Sequence, residues 1–308
     1  MSIVAITDSD LGDGSIEREI LSDHEVRVGS SRDADDIVAL AAGADGLLVQ
    51  WAPITSPLLD RLPGLKAIVR YGIGLDNIDQ SATAARGIRV ENVPDYCIDE
   101  VAAHALALIV ARARRLFSYA AEASDGHWSV ADVPPPKIPG DDPVGVVGVG
   151  RIGRTVAEQA AALGHPVLGW DPFAPSWPDG VERMETLGHL AARVNHLSLH
   201  IPLLPETTGI VGTSVLEALG AEGHLVNTSR GGLINETELL SALDRGALGY
   251  ASLDVLATEP PSGTSALLVA HPKTLVTPHA AYCSDSSRYR LQVRAAEILE
   301  GLLGGADQ

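Results

Sequence analysis

The stretch from Val144 to Asp171 constrains this chain more than any other. It opens on an apolar run, Val144-Gly145-Val146-Val147, that reads as a buried strand. Gly148, Gly150 and Gly153 follow with the spacing G-x-G-x-x-G. A helical segment reads from Thr155 to Leu163 and is stopped by Gly164; a second strand, Pro166 to Trp170, ends on Asp171. In that order of parts the first glycine allows a tight turn, the second lets backbone approach an anion, and the third lets helix pack on strand. The helix N-terminus offers unbonded N–H groups and a positive dipole end to a phosphate. Asp171 falls where a carboxylate accepts hydrogen bonds from ribose hydroxyls. The stretch therefore predicts a dinucleotide site built from Gly148, Gly150, Arg151, Ile152, Gly153 and Asp171. Asp171 is followed by Pro172-Phe173-Ala174, with no cation to hold a 2′-phosphate, and its own charge repels one. NAD (NADH) is expected and NADP disfavoured.

Formal charge bears on the partners. Lys and Arg number 22 against 40 Asp and Glu, a net −18, which speaks against nucleic acid or an anionic membrane as partner. A site for an anionic cofactor and an acid substrate needs local positive potential against that field, so each Arg near a glycine loop becomes a candidate. The N-terminal Met1-Ser2-Ile3-Val4-Ala5-Ile6 reads as a first strand and not as a leader, and no apolar stretch has membrane-spanning length. Cys97 and Cys283 lie far apart without C-x-x-C spacing, which fits a reducing, cytoplasmic setting. No metal-ligand pattern is read.

Strand-like and helix-like segments alternate almost throughout, the mark of α/β architecture with parallel sheets. Strands read at 3–7, Glu25–Gly29, Gly46–Gln50, Leu65–Tyr71 and Ile88–Asn92, with a helix capped by Asp33. Asp99 to Ala123 reads as one long helix, a domain linker or dimer surface. A proline-rich break, Val133 to Pro143, precedes the nucleotide fold, whose later strands read at His196–Leu199, Gly223–Asn227, Tyr250–Leu253 and Thr274–Thr277. Ser286 to Leu303 reads as a final helix. The expectation is a Rossmann-like doubly wound nucleotide-binding domain over 97–282 and a smaller flavodoxin-like α/β substrate domain over 1–96 and 283–308. With the sequence ending soon after this helix, no appended regulatory domain is expected.

Ligands of open α/β sheets collect at the carboxyl ends of strands. Three reactive groups fall there: Arg230 after the strand ending at Asn227, Glu259 after the one ending at Leu253, and His279 in Thr277-Pro278-His279-Ala280. Arg, Glu and His in such places suit hydride transfer to a keto acid. The Arg grips the carboxylate bidentately and polarises the carbonyl. The His gives or takes the hydroxyl proton, and the Glu orients the ring and favours its protonated form.

Motifs across nearly the whole chain resemble the D-2-hydroxyacid dehydrogenases, a family that includes phosphoglycerate dehydrogenases, glyoxylate/hydroxypyruvate reductases and the C-terminal-binding protein. The matching pieces are Arg70 through Asp79, Asn92-Val93-Pro94, the glycine fingerprint, Leu199-His200-Ile201-Pro202, Asn227 through Gly232, Asp254 through Pro260, and Thr277-Pro278-His279-Ala280. The resemblance implies Arg230, Glu259 and His279 as the catalytic residues, with substrate carboxylate held by backbone N–H groups of the Tyr71-Gly72-Ile73-Gly74 loop. It places Asp254 on the nicotinamide amide and assigns Pro202, Thr207 and Thr228 to the cofactor. His200 either touches the cofactor or packs. It also implies a homodimer joined through the nucleotide domains.

Arg70 is the main hint about the substrate's tail. A cation beside the carboxylate loop suits a 2-oxo acid with a polar or anionic group, such as hydroxypyruvate, a phospho- or phosphono-analogue, or a dicarboxylate; a surface ion pair is the plainer use of the same residue. Trp51 is expected to wall the substrate site, and Tyr282 either lines it or plugs a hinge. Two rivals remain: an NAD-sensing interaction module like C-terminal-binding protein, and a phosphite-type dehydrogenase. Formate chemistry is disfavoured because that branch pairs its His with Gln, where this chain has Glu259.

Overall fold

A computed structural model describes residues 1–304. The chain divides into two compact units, one formed by residues 1–97 with the segment from Cys283 onward, the other by Ile98–Tyr282.

The first unit is a parallel sheet of β1 (Ile3–Ile6), β2 (Glu25–Val28), β3 (Gly46–Val49), β4 (Ala67–Arg70) and β5 (Arg89–Asn92), in the order β2-β1-β3-β4-β5. That is the flavodoxin-like order. β3 and β4 are buried along their whole length, as central strands covered on both faces must be. The edge strands β2 and β5 carry charges instead, which blunts edge-to-edge pairing. Helices α1 (Ser15–Ile20), α2 (Ala34–Leu40), α3 (Ser56–Leu59) and α4 (Gln80–Ala85) connect them. Asp33 caps α2 by accepting from the amides of Asp35 and Asp36. The C-terminal helix, Asp285–Gly304, packs on β3 and β4. A Cβ on Gly46 would lie 3.0 Å from Leu299 of that helix, so glycine permits the close approach.

The second unit is a seven-stranded parallel sheet of β6 (Val144–Val147), β7 (Val167–Trp170), β8 (Val181–Arg183), β9 (His196–Leu199), β10 (His224–Asn227), β11 (Tyr250–Leu253) and β12 (Thr274–Val276). Its order is β12-β11-β10-β9-β6-β7-β8. The chain runs outward one way from β6 and the other way from β9, so the switch point of this doubly wound sheet lies between them. The helices are α5 (Ile98–Ala113), α6 (Leu116–Ser124), α7 (Arg151–Ala162), α8 (Leu187–Ala191), α9 (Thr213–Leu219), α10 (Glu236–Asp244) and α11 (Gly263–Ala270). α5 packs against α7.

Three local expectations are corrected. The single helix from Asp99 to Ala123 is two helices, broken at Arg115 with φ 56°. No Gly or Pro marks the break. It falls where the helix leaves the core: α5 buries residues as far as Ile109, and α6 buries none. The helix expected from Thr155 starts at Arg151 and takes Gly153 into its first turn. β8 was not foreseen, because Val181-Glu182-Arg183 is a short and mostly exposed edge.

Candidate active site

β6 ends on Gly148, whose φ of +89° makes the tight turn and whose missing side chain admits the carbonyl of His200, 2.6 Å from where a Cβ would sit. Gly153 must be glycine for a different reason: a Cβ there would fall 1.9 Å from the Gly148 carbonyl oxygen. Gly150, at the N-cap of the twelve-residue α7, faces open space, with nothing within 4 Å of a built Cβ. That is the position where a phosphate must reach backbone. Arg151 is exposed and Ile152 packs on the core beneath. Asp171 accepts from the amides of Val149 (3.0 Å) and Phe173 (2.9 Å), one on each oxygen, which fixes it beside the glycine turn with acceptor capacity left for ribose hydroxyls. The residues present fit a dinucleotide. Arg154 was missed: it donates to the carbonyl (3.2 Å) and hydroxyl (3.0 Å) of Ser176, in the loop after Asp171. The turn of α7 brings it there, which a search downstream of Asp171 alone does not see.

The loops after β10, β11 and β12 carry the reactive groups. Arg230 is half-buried and donates to the Ser229 carbonyl (2.8 Å). Glu259 accepts from the Leu256 amide at Oε1 (2.9 Å) and meets His279 Nδ1 at Oε2 (2.8 Å). Burial pushes the Glu259 carboxyl up, but the hydrogen bond and charge of His279, the Leu256 amide and the charge of Arg230 outweigh it and hold it below the usual range. Arg230, Glu259 and His279 are thus one electrostatic group. With Nδ1 turned to Glu259, proton exchange with a ligand falls to Nε2. His279 sits at φ 53°, a left-handed conformation unusual for histidine. The Tyr282 ring lies edge-on at 6.3 Å from the imidazole.

In the first unit Arg70 ends β4 and is only 7% exposed. Its guanidinium lies 5.6 Å from the Trp51 ring centre and folds over Gly72, where φ is +140° and any Cβ would collide with it. In the loop, the amides of Tyr71 and Gly72 go to the carbonyls of Val49 and Arg70. Among the described residues, no backbone carbonyl accepts from the amides of Ile73 and Gly74.

Residues 106–281 match the family described as D-isomer specific 2-hydroxyacid dehydrogenase, NAD binding domain. The chain is 33% identical over 281 residues to a glycerate dehydrogenase of Methylorubrum extorquens, covering 89% of this chain and 87% of the relative. This chain belongs to the D-isomer-specific 2-hydroxyacid dehydrogenases. It is also 36% identical over 285 residues to the D-3-phosphoglycerate dehydrogenase of Mycobacterium tuberculosis, covering 91% of this chain but 53% of the relative, so it spans about half that protein's length. The crystal structure of a D-lactate dehydrogenase from Aquifex aeolicus, complexed with NAD and lactic acid, superposes with a TM-score of 0.89 at 25% identity, covering 98% of this chain and 96% of the other. Structures of the same architecture with NADPH or NADP also exist. As a member of this family the chain is an oxidoreductase that interconverts 2-oxo acids and D-2-hydroxy acids with a nicotinamide cofactor.

Within that dehydrogenase, several expected ligand contacts are spent on the protein itself. Asp254 is 1% exposed and its oxygens accept from Thr277 Oγ1 (2.6 Å) and the amides of Ala280 (2.8 Å) and Ala281 (3.0 Å). These bonds hold the loop around His279. The Tyr71 side chain is turned into the core, where its hydroxyl donates to Glu17 Oε1 (2.7 Å). The His200 ring is enclosed beneath the glycine turn, its Nε2 at 2.8 Å from Ser198 Oγ, and burial lowers its pKa to about 4. Its Nδ1 is buried without a hydrogen-bond partner. Thr207 uses its hydroxyl to close the loop from Pro202, donating to the Pro202 carbonyl (2.7 Å). The Thr228 hydroxyl, at the carboxyl end of β10, is buried without a hydrogen-bond partner, as a group awaiting a ligand would be.

Proposed function

We propose that this dehydrogenase reduces a 2-oxo acid with a polar or anionic tail, with NADH preferred to NADPH, as a cytoplasmic homodimer. The observation that carries the chemistry is the 2.8 Å contact of His279 Nδ1 with Glu259 Oε2 inside the field of Arg230. Bound NADH supplies the hydride. Arg230 grips the substrate carboxylate and draws charge onto the carbonyl oxygen. His279 gives that oxygen a proton from Nε2, while Glu259 keeps the ring oriented and stabilises the imidazolium before transfer. Oxidation runs the same proton path backwards. The amides of Ile73 and Gly74, with Arg70 and Trp51 behind them, are assigned to the substrate, and Tyr282 to the wall beside His279.

The tail assignment rests on Arg70. Burying a guanidinium costs several kcal/mol unless charge or hydrogen bonds offset it. Trp51 stacks near it, and an anionic or hydroxylated tail would add to that stabilisation. Relatives named for glycerate and 3-phosphoglycerate act on acids with such tails. The preference for NADH rests on the Asp171 carboxylate, and Arg154 is an opposing feature. The homodimer is supported by apolar side chains left in water after α6, with Trp128 at 93% and Val130 at 79% exposure.

NADH consumption against pyruvate, hydroxypyruvate, a phosphorylated 2-oxo acid and a 2-oxo dicarboxylate tests the reading, with Arg70→Ala alongside. Polar and anionic tails are expected to be favoured, and Arg70→Ala to cost them roughly 10- to 100-fold more than it costs pyruvate. Equal losses across the panel would reject the tail assignment. No turnover with tight NADH binding would instead support an NAD-sensing interaction module.

A further inference from the structure

The loop from Asp254 to Pro260 delivers Glu259 to His279, and three successive amides of it are each taken by a side chain. Leu256 N donates to Glu259 Oε1 (2.9 Å), Ala257 N to Glu236 Oε1 (2.8 Å) and Thr258 N to Ser265 Oγ (3.3 Å). The last two acceptors are joined, because the Ser265 hydroxyl donates to Glu236 Oε2 at 2.6 Å. Both are buried, Ser265 at 1% and Glu236 at 9% exposure. Glu236 opens α10 and Ser265 lies in the first turn of α11, so two helices clamp one loop. From the other side, a Cβ on Gly231 would fall 2.0 Å from the Leu256 carbonyl carbon, which sets the turn carrying Arg230 directly on the same peptide.

We infer that Glu236 and Ser265 are positioning residues that hold the Leu256–Thr258 backbone so that Glu259 meets His279 and Arg230 keeps its place beside them. The inference rests on the assignment of Glu259 and His279 as the proton-handling pair. Neither residue touches a ligand. Each acts through backbone, and a buried carboxylate that accepts both an amide and a hydroxyl is a stiffer anchor than either bond alone. Losing the clamp lets Glu259 swing, and displacements of about 1 Å at such a group cost up to roughly 100-fold in rate. The catalytic motifs carry no sign of this pair, because it is built from the starts of two helices that the Arg, Glu and His loops do not include.

The test uses the full chain with Ser265→Ala, and Glu236→Gln as the second variant if the first does not fold. NADH-dependent reduction is followed from pH 5 to pH 9, with NADH binding measured by fluorescence. Expected are a fall in kcat of about 10-fold, KM for the 2-oxo acid within about 2-fold, and an alkaline limb moved to lower pH, in the direction Glu259→Gln produces. In a Glu259→Gln background, Ser265→Ala should add little, since both act through one contact. A folded Ser265→Ala protein with native kcat and pH profile, or losses that multiply in the double variant, would overturn the inference. If Glu259→Gln and His279→Gln themselves leave kcat unchanged, the underlying assignment has failed instead.

Discussion

Two of the histidine–carboxylate pairs in the second unit lie against its sheet at nearly equal length. His279 Nδ1 lies 2.8 Å from Glu259 Oε2, and His196 Nε2 lies 3.0 Å from Asp142 Oδ2. They occupy opposite ends of the sheet. His279 follows the carboxyl end of β12, whereas His196 opens β9, in register with His224 at the start of β10 and Tyr250 at the start of β11. The side chains of the first pair are 21% and 33% exposed, those of the second 5% and 7%. The second pair is also fully committed. With Nε2–H of His196 donated to Asp142, its Nδ1 accepts from His224 Nδ1–H (3.0 Å), and His224 Nε2 accepts from Ser252 Oγ (2.9 Å). All four ring nitrogens of His196 and His224 are used. The pairing distance alone thus does not identify a catalytic histidine; the end of the sheet at which the pair sits separates the two.

Each prediction sets one end of the sheet against the other. A large contrast is expected between two arginines. Arg230→Lys loses the bidentate fork and should lower kcat/KM by about 100- to 1000-fold, while Arg112→Lys, whose guanidinium lies 4.8 Å from the Tyr250 ring at the amino ends, should leave kinetics native. Equal kinetic losses would break the comparison. Glu259→Gln should cost roughly 10- to 100-fold in kcat and move the alkaline limb of reduction to lower pH, because a carboxylate favours the protonated ring. Asp142→Asn should keep the native pH–rate profile and instead lower stability by about 1–3 kcal/mol, read as a shifted urea midpoint.

A further contrast is in acid stability. Burial, then the charges of His196 and Arg112, holds His224 well below the ordinary histidine range, and burial lowers His200 to about 4. Above pH 6.5 both groups are neutral folded and unfolded. Below it the unfolded chain binds protons that the folded chain refuses, so stability falls as pH drops toward the folded values. Each such histidine contributes at most about 1.4 kcal/mol per pH unit over that window. Asp142 acts lower still. Burial pushes it up, but its bonds to His196 and Asn195 and the charges of His196 and His165 hold it below the ordinary carboxyl value of 3.8. Urea unfolding at pH 7.5 and pH 5 should therefore differ by up to about 4 kcal/mol, and the difference should shrink in His200→Asn. An unchanged midpoint across that range would contradict the burial argument.

What was legible in the sequence were the features written contiguously. Val144–Val147 with its glycine turn is one run of residues, and Arg230, Glu259 and His279 each sit a few residues past an apolar strand. What was not legible is assembled by register or by packing. Asp142 and His196 are 54 residues apart and His196 and His224 are 28 apart, and only parallel pairing aligns them. Tyr71 belongs by motif to a ligand loop, yet strand alternation turns its ring to Glu17. Asp254 sits at a strand end where ligands collect, and its bonds to the amides of Ala280 and Ala281, beside the left-handed His279, come from packing that no motif spells out. Arg115 breaks a helix with no breaker residue, because the end of burial set the limit and not propensity.

The most direct test replaces the histidine of each pair in turn and compares 2-oxo acid reduction and NADH binding in His279→Gln and His196→Gln. His279→Gln is expected to bind NADH as the native protein does and to lose about 1000-fold in kcat. His196→Gln should reduce substrate at within a few-fold of the native rate while unfolding at lower urea. Native turnover by His279→Gln, or equal loss in both variants, would contradict the assignment of proton transfer to the carboxyl end of the sheet.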